Sequence, residues 1–194
     1  MRSVAIVGPF CSGKTTLADY LVAHHGYSRV SFAKRLKEVA AAVYNHGDPI
    51  EKNATYRVSR EETDDTSLSG REVLQQFGQS VKALDRDFWI RWLLSDIDDR
   101  SGGLWVSDDT RFPYEAEALR SRGFAIVRLD TPSAVRAERH QLLYGRQPTP
   151  AELSHPSEVE TKKITADVTV NGMLAVESLA DIIVNTDDYA RYAA

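Results

Sequence analysis

Cysteine is almost missing from this sequence of 194 residues, which contains only Cys11. A single cysteine excludes an intramolecular disulfide and a cysteine-rich zinc site, and it is typical of a reducing compartment. Long apolar runs are missing too. No run approaches the roughly 18 residues of a membrane span, and the first, residues 4–7, is too short for a signal peptide. These absences predict a cytoplasmic protein without membrane association.

The sequence also lacks an excess of basic residues. Its 24 lysine and arginine residues stand against 28 aspartate and glutamate residues, which gives a formal net charge of −4 at pH 7. Binding to duplex nucleic acid needs a continuous positive surface, so this balance argues against such a partner. The length and the 42% hydrophobic content predict one folded domain. Any recognition of phosphate must therefore be local.

Short apolar runs alternate with segments of helical periodicity, and this order predicts an α/β fold. We expect three layers around a mostly parallel sheet of about five strands. The strands are predicted at residues 4–7, 27–32, 104–108, 124–130 and 167–171.

Between the second and third of these strands, the pattern changes. A helix is predicted first, with Leu36, Val39, Ala40 and Val43 on its inner face, and two more helices follow near 73–84 and 88–97. Residues 45–69 are rich in charges and turn formers without a sustained period. They are predicted to form a long loop or a mobile insertion.

Residues 8–15, GPFCSGKT, match the phosphate-binding pattern G-x-x-x-x-G-K-[S/T] between a predicted strand and a predicted helix. Glycines allow a tight loop whose N–H groups converge on phosphates, next to the positive end of a helix. We expect a solvent-facing Lys14 ammonium to bridge ATP phosphates and the Thr15 hydroxyl to bind Mg²⁺. Nucleotide binding is assigned to Gly8, Pro9, Phe10, Cys11, Ser12, Gly13, Lys14, Thr15 and Thr16.

Two carboxylates, Asp108 and Asp109, fall at the carboxyl end of the strand predicted at 104–108, where parallel sheets bind ligands. One of them, with Asp109 favoured over Asp108, is expected near Mg²⁺ or near an acceptor oxygen. The alternative is a helix N-cap, because a helix is predicted directly afterwards.

Arginines in a later helix suggest a lid. Arg136 and Arg139 are three residues apart and project from one helix face, followed by a proline-containing flap at 145–157. Their guanidinium groups suit a lid over triphosphate oxygens. Removing either one is expected to lower kcat about tenfold or more, with a smaller effect on the acceptor KM. The alternative is a solvated basic face.

Arg71 and Gln75 are four residues apart on one helix face and could contact a phosphate and a base edge. The alternative is an amphipathic surface helix. Trp89 and Trp92 are interpreted as core residues more readily than as stacking platforms.

Taken together, segments covering nearly the full length resemble the phage-type deoxynucleoside monophosphate kinases, a P-loop kinase family related to animal-type phosphomevalonate kinase. The first segment is generic, whereas DTRFPYE and GREVLQQFG are more specific to that family. The segments are GPFCSGKT (8–15), SFAKRLKE (31–38), GREVLQQFG (70–78), DFW (87–89), DTRFPYE (109–115), HPSE (155–158) and DVTVN (167–171).

The resemblance implies an ATP- and Mg²⁺-dependent transfer of a phosphoryl group to a deoxynucleoside monophosphate. It implies one kinase domain over residues 1–194, with an acceptor-binding insertion at about 33–100 and a lid at about 133–163. The implied catalytic residues are Lys14, Asp109, Arg111, Arg136 and Arg139. The implied acceptor residues are Lys37, Arg71, Gln75, Trp89 and Arg111, and the implied metal ligands are Thr15 and Asp109.

Several points stay open at this stage. Gln79 and Lys82 replace a Thr and an Arg that the family often shows, so the acceptor base is not transferred. A kinase for another phosphorylated small molecule or for a modified base in DNA is an alternative, as is a non-catalytic nucleotide-binding switch. Homodimer formation is left open, and a phage gene would place the protein in the host cytoplasm.

Overall fold

The computed structural model describes residues 1–51, 53–61, 64–98 and 102–185, without the side chains of residues 59–61 and 64–66. The chain divides into two compact units. The first unit comprises Met1–Val30 and Asp99–Ala194, and the second comprises Ser31–Asp98. Each unit is described by itself.

Helices and strands follow one another along the described residues. In chain order they are β1 (Val4–Val7), α1 (Lys14–His24), β2 (Tyr27–Arg29), α2 (Phe32–Tyr44), β3 (Thr55–Glu61), β4 (Asp64–Ser69), α3 (Gly70–Leu84), α4 (Phe88–Asp98), β5 (Leu104–Ser107), α5 (Pro113–Arg120), β6 (Ala125–Asp130), α6 (Ser133–Tyr144), α7 (Pro150–Leu153), α8 (Pro156–Thr161), β7 (Val168–Asn171) and α9 (Val176–Asn185). No helix among these residues is both long and apolar enough to traverse a membrane.

The first unit contains a five-stranded parallel sheet in the order β2-β5-β1-β6-β7. All four residues of the central strand β1 are fully buried, as expected for a strand covered on both faces. On one face, Val4 and Ile6 pack with Leu17 and Leu21 of α1 and with Leu179 of α9. The predicted α/β fold with a five-stranded parallel sheet is confirmed.

The second strand is shorter than predicted. β2 ends at Arg29, and α2 begins at Phe32 within the predicted range 27–32. Val30 still donates its N–H to the backbone oxygen of Val106 at 2.9 Å, so the chain stays beside the sheet for one more residue.

The second unit corrects the prediction of a loop at 45–69. Residues 55–61 and 64–69 form the antiparallel hairpin β3–β4, in which Tyr56 pairs with Leu68. The β-formers Thr55, Tyr56 and Val58 favour a strand, but the charged residues between them hide the period of two. Residues 52, 62 and 63 of the predicted loop lie outside the described residues.

Helix α2 turns a different face inward than predicted. Ala40 and Ala41 are buried with Leu36 and Leu74, whereas Val39 and Val43 are exposed. Small alanine side chains allow α3 to approach closely, and this packing outweighs the larger apolar surface of the two valines. The predicted inner face is therefore wrong for Val39 and Val43.

Candidate active site

The P-loop, residues 8–15, joins the end of β1 to the start of α1 in the first unit. Gly13 has a φ of 103° and caps α1, which begins at Lys14. A Cβ atom on Gly8 would lie 2.9 Å from the backbone oxygen of Leu129, so only glycine fits there without a shift. Glycine is thus required at the two positions for different reasons, a left-handed backbone at Gly13 and a close backbone contact at Gly8.

Lys14 is folded into the P-loop, so the expectation of a solvent-facing ammonium is wrong. The residue is 5% exposed, and its Nζ donates to the backbone oxygens of Gly8 at 2.8 Å and Pro9 at 2.6 Å. The pKa of Lys14 is lowered to about 7, mainly by burial and next by the positive charge of Arg111, while Glu158 opposes the change. Bound phosphate would therefore stabilise an ammonium that the free protein holds at a cost.

The Thr15 hydroxyl donates to Asp108 Oδ2 at 2.7 Å. Arg29 lies behind this pair, with Nε 3.7 Å from Asp108 Oδ1 and Nη2 donating to the Thr15 backbone oxygen at 3.3 Å. Hydroxyl and carboxylate oxygens are the ligands that Mg²⁺ prefers, directly or through its waters. These two side chains therefore fit the metal that accompanies a nucleotide.

Asp109, the residue after Asp108, makes a different contact, and its expected role as a metal ligand stays a prediction. Its Oδ1 accepts a hydrogen bond from Ser107 Oγ at 3.2 Å, at the end of β5. The sequence favoured Asp109 over Asp108 for the metal, whereas the contact with Thr15 is made by Asp108. The positions of the two aspartates at the end of β5 determine which one contacts Thr15, and the sequence pattern alone does not show this.

Arg111 is held from three sides in the first unit. Its N–H donates to Glu115 Oε2 at 2.8 Å, and its backbone oxygen accepts from the Thr161 hydroxyl at 3.1 Å. Its guanidinium pairs with Glu158 at 3.3 Å. Glu158 also accepts the N–H of Phe10, at 2.9 Å, and so links Arg111 to the P-loop.

Arg136 and Arg139 contact the P-loop from α6. Arg139 Nη1 donates to the backbone oxygens of Cys11 at 3.3 Å and Ser12 at 3.1 Å. The Arg136 guanidinium carbon lies 5.5 Å from the centre of the Phe10 ring, a cation–π arrangement. In this structure both arginines support the loop, and their closing over a triphosphate stays a prediction.

The segment predicted as a flap at 145–157 contains regular structure. Helix α7 and the start of α8 lie in it, and Arg146 forms a two-pronged ion pair with Glu152 at 2.7 and 2.8 Å. Thr149 caps α7 by accepting the N–H of Glu152 at 3.2 Å. Local capping and one ion pair therefore order part of this proline-containing stretch.

The acceptor residues expected in the second unit separate into two groups. Lys37, Arg71 and Gln75 are exposed on α2 and α3. Trp89 is 4% exposed and packs edge-on against Phe77 and Phe88, which gives it the core position that the residue pattern favoured. Its ring is not available for stacking on a base.

Trp92 departs from the sequence interpretation. Trp92 is 44% exposed, so the prediction that it is a core residue is wrong. The Arg35 guanidinium lies 5.2 Å from the centre of the Trp92 ring and also pairs with Asp96 at 2.8 Å. Trp92 thus covers a charged side chain of its own unit.

Sequence reasoning assigned no role to Glu158 or to Arg29. Glu158 lies 148 residues beyond its P-loop partner Phe10. Arg29 lies on the edge strand β2, whose sequence contains no arrangement of charges that indicates a site. Glu158 lies in HPSE at 155–158, one of the segments that carry the family resemblance, and this is the sequence signal that could have marked it.

Comparisons with known proteins agree on the fold. The shikimate kinase structure of Aquifex aeolicus has a TM-score of 0.55 at 20% identity, with full coverage of both chains. The fold is that of the P-loop kinases. A sugar kinase from a Janibacter species has a TM-score of 0.52 at 17% identity and covers 100% of this chain and 98% of its own. A gluconokinase from Sinorhizobium meliloti has a TM-score of 0.51 at 17% identity, with 99% and 93% covered.

Sequence comparison adds a relative of the same length. A protein of Acanthamoeba polyphaga mimivirus, provisionally named deoxynucleotide monophosphate kinase, is 25% identical over 206 aligned positions. The alignment covers 98% of this chain and 98% of the relative. No family model matches the chain. The P-loop kinase fold and this full-length similarity are the two findings on which a function can be proposed.

Proposed function

We propose that this protein is a deoxynucleoside monophosphate kinase, which transfers the γ-phosphoryl group of ATP to the 5′-phosphate of a deoxynucleoside monophosphate. The observation that carries the donor half is the P-loop, with the Lys14 ammonium inside it and the Thr15–Asp108 pair at its end. The similarity to the mimivirus protein, over 98% of both chains, supports the acceptor half.

The donor would be bound by the P-loop backbone and by Lys14. The ammonium exchanges its bonds to loop oxygens for phosphate oxygens, while Thr15 and Asp108 hold Mg²⁺ or its waters. The metal neutralises phosphate charge during transfer. Asp109, the next residue along the chain, is proposed to contact the acceptor or an ordered water.

Arginines are needed because both substrates are anions that repel each other as they approach. Arg111 sits close enough to Lys14 to lower its pKa, so the two cations act on one region. Arg136 and Arg139 add positive charge behind the loop. Together these groups would stabilise the charge that spreads over the transferred phosphoryl group.

Acceptor contacts are proposed for Lys37, Arg71 and Gln75. Arg71→Ala should weaken every monophosphate acceptor about equally, by about tenfold to a hundredfold in kcat/KM, because a charge-assisted bond to phosphate is lost. Gln75→Ala should instead change the ranking of the bases, because an amide reads a base edge. The measurement is kcat/KM for each acceptor at saturating ATP.

The neighbouring Gln76→Ala variant, another exposed glutamine of α3, serves as the matched control. It is expected to keep the wild-type ranking of acceptors. If kcat/KM for every acceptor is unchanged in both the Arg71 and the Gln75 variant, α3 has a purely structural role. Weaker ATP binding without acceptor would place Arg71 on the donor side.

ATP affinity should fall as the pH rises from about 7 to about 9. In the free protein the pKa of Lys14 is about 7, so the ammonium loses its proton over this range. Bound phosphates, already fully ionised above their last pKa of about 6, favour the ammonium. Binding therefore takes up a proton, and affinity falls by up to about tenfold for each pH unit.

Calorimetry at about pH 8 in two buffers of different ionisation enthalpy measures this proton directly. The wild type should take up close to one proton, and Lys14→Met should take up none. Equal uptake by both proteins would assign the effect to another group.

The function itself is tested by ADP release against a panel of acceptors. The panel contains the common deoxynucleoside and ribonucleoside monophosphates together with shikimate and gluconate. Release that depends on a deoxynucleoside monophosphate supports the proposal, whereas release with only a non-nucleotide acceptor overturns it in favour of another small-molecule kinase. ATP binding without release under any condition would indicate a nucleotide-dependent switch.

A further inference from the structure

Glu158 is a buried carboxylate with two separate partners near the P-loop. The residue is 7% exposed. Its Oε2 accepts the N–H of Phe10 at 2.9 Å, and its Oε1 accepts from Arg111 Nη1 at 3.3 Å. A buried carboxylate is costly unless it is paired, so these two contacts fix its position.

Helix α8, which carries Glu158, is bonded to the sheet at its C-terminal end. Arg128 of β6 donates through Nη2 to the backbone oxygens of Thr161, at 3.3 Å, and of Ile164. The Thr161 hydroxyl shares its proton between two acceptors, the backbone oxygens of Ser157 at 2.6 Å and of Arg111 at 3.1 Å. The Glu158 carboxylate therefore lies on a helix whose C-terminal end is hydrogen-bonded to β6 of the parallel sheet.

The backbone of Arg111 is anchored without Glu158, through Glu115 and Thr161. The Arg111 side chain is different, because it has several rotatable bonds and is 30% exposed. Its ion pair with Glu158 selects one direction for the guanidinium. Losing this pair would leave the backbone in place and free the charged end.

Lys14 lies within electrostatic range of the same pair. Its pKa is lowered mainly by burial and further by Arg111, and Glu158 opposes this change. Two cations held near one site repel each other before substrates arrive. Glu158 carries the opposite charge and pairs with Arg111 at 3.3 Å.

We infer that Glu158 is a positioning residue whose carboxylate fixes the Arg111 guanidinium beside the P-loop before the substrates bind. Pre-organised charge lowers the barrier to phosphoryl transfer because no reorganisation is needed during the reaction. The kinetic test of this inference rests on the proposed function, and a second test does not.

The kinetic test is a double-mutant cycle with Glu158→Gln and Arg111→Ala. Glutamine keeps the shape of glutamate, but one end of its amide is a donor, so it cannot accept from both Phe10 and Arg111. Glu158→Gln should lower kcat about tenfold or more, with the KM for ATP unchanged or lower. In the Arg111→Ala background the same change should alter kcat by less than about twofold.

Other outcomes overturn the inference. Effects that multiply in the double variant would mean that Glu158 acts independently of Arg111. A lower KM for ATP with kcat preserved would make Glu158 a gate that competes with phosphate. A higher KM and a lower melting temperature with kcat preserved would make its role structural. Glu160→Gln, on the same helix and bonded to Lys163, is the control expected to match the wild type.

The second test measures the Arg111 guanidinium by ¹⁵N relaxation of its side chain in the free protein, with the signal assigned by its loss in Arg111→Ala. The signal should be rigid in the wild type and in Glu160→Gln, and mobile in Glu158→Gln. A guanidinium that is equally mobile in all three proteins overturns the inference. A wild type without acceptor-dependent turnover overturns the proposed function, and relaxation then decides the role of Glu158.

Discussion

Replacing Lys14 with alanine should lower kcat by about a hundredfold to a thousandfold, the usual effect of removing a group that stabilises transition-state charge. The ammonium lies within the P-loop, bonded to the oxygens of Gly8 and Pro9, and can turn to phosphate oxygens with little movement. The measurement is ADP release at saturating ATP and acceptor.

The fold should survive this change. Burial of the ammonium disfavours its charged form, so removing it relieves a cost of folding even though the three hydrogen bonds of Lys14 Nζ are lost. We expect the melting temperature of Lys14→Met, which keeps the side-chain volume, to stay within about 5 °C of the wild type. Lys163→Ala, at an exposed lysine, is the control for both measurements. Near-normal turnover of Lys14→Ala would remove the donor-site assignment.

Asp108→Asn should raise the Mg²⁺ concentration needed for half-maximal activity by about tenfold to a hundredfold. The Asp108 carboxylate accepts the Thr15 hydroxyl at 2.7 Å, and an amide in its place loses the negative charge that we propose binds the metal and its waters. The measurement is a Mg²⁺ titration of activity at constant ATP.

Asp109→Asn is the matched comparison, because the two residues are adjacent and differ in their contacts. It should lower kcat without changing the Mg²⁺ requirement. The reverse pattern, with the metal requirement shifted only in Asp109→Asn, would restore Asp109 as the metal residue and contradict the geometry.

The sheet and the P-loop were predictable because their signals are local. Four apolar residues before Gly8 mark a strand buried on both faces, and the loop pattern follows at once. β5 and β6 also contain apolar runs, and β7 alternates apolar with polar residues. Strand order and the P-loop then place the carboxyl end of β5 beside the start of α1.

The hairpin and the inner face of α2 were not predictable from the same signals. β3 and β4 alternate polar with apolar residues only weakly, because most of their side chains that the structure describes are at least partly exposed. In α2, the alanines at 40 and 41 are buried in place of larger valines because of what packs against them. Such choices depend on a partner surface, which a periodicity within one segment does not contain.

The side-chain contacts within the candidate site could not be predicted from the sequence for a related reason. Thr15 and Asp108 are 93 residues apart, and Phe10 and Glu158 are 148 apart. Their contacts arise only once the strands are aligned in register. The sequence therefore predicts which residue types gather at the phosphate end of the sheet, but not which of two adjacent aspartates contacts Thr15.

Transfer of label from ATP to the acceptor tests the central proposal most directly. The protein is incubated with Mg²⁺, ATP radiolabelled at the γ-phosphorus and each deoxynucleoside monophosphate in turn, with Lys14→Ala as the control. The proposed function predicts label in a deoxynucleoside diphosphate for at least one acceptor, and label that appears at least about a hundredfold more slowly with the variant. Label that stays in ATP, or appears only as inorganic phosphate with every acceptor, would contradict it.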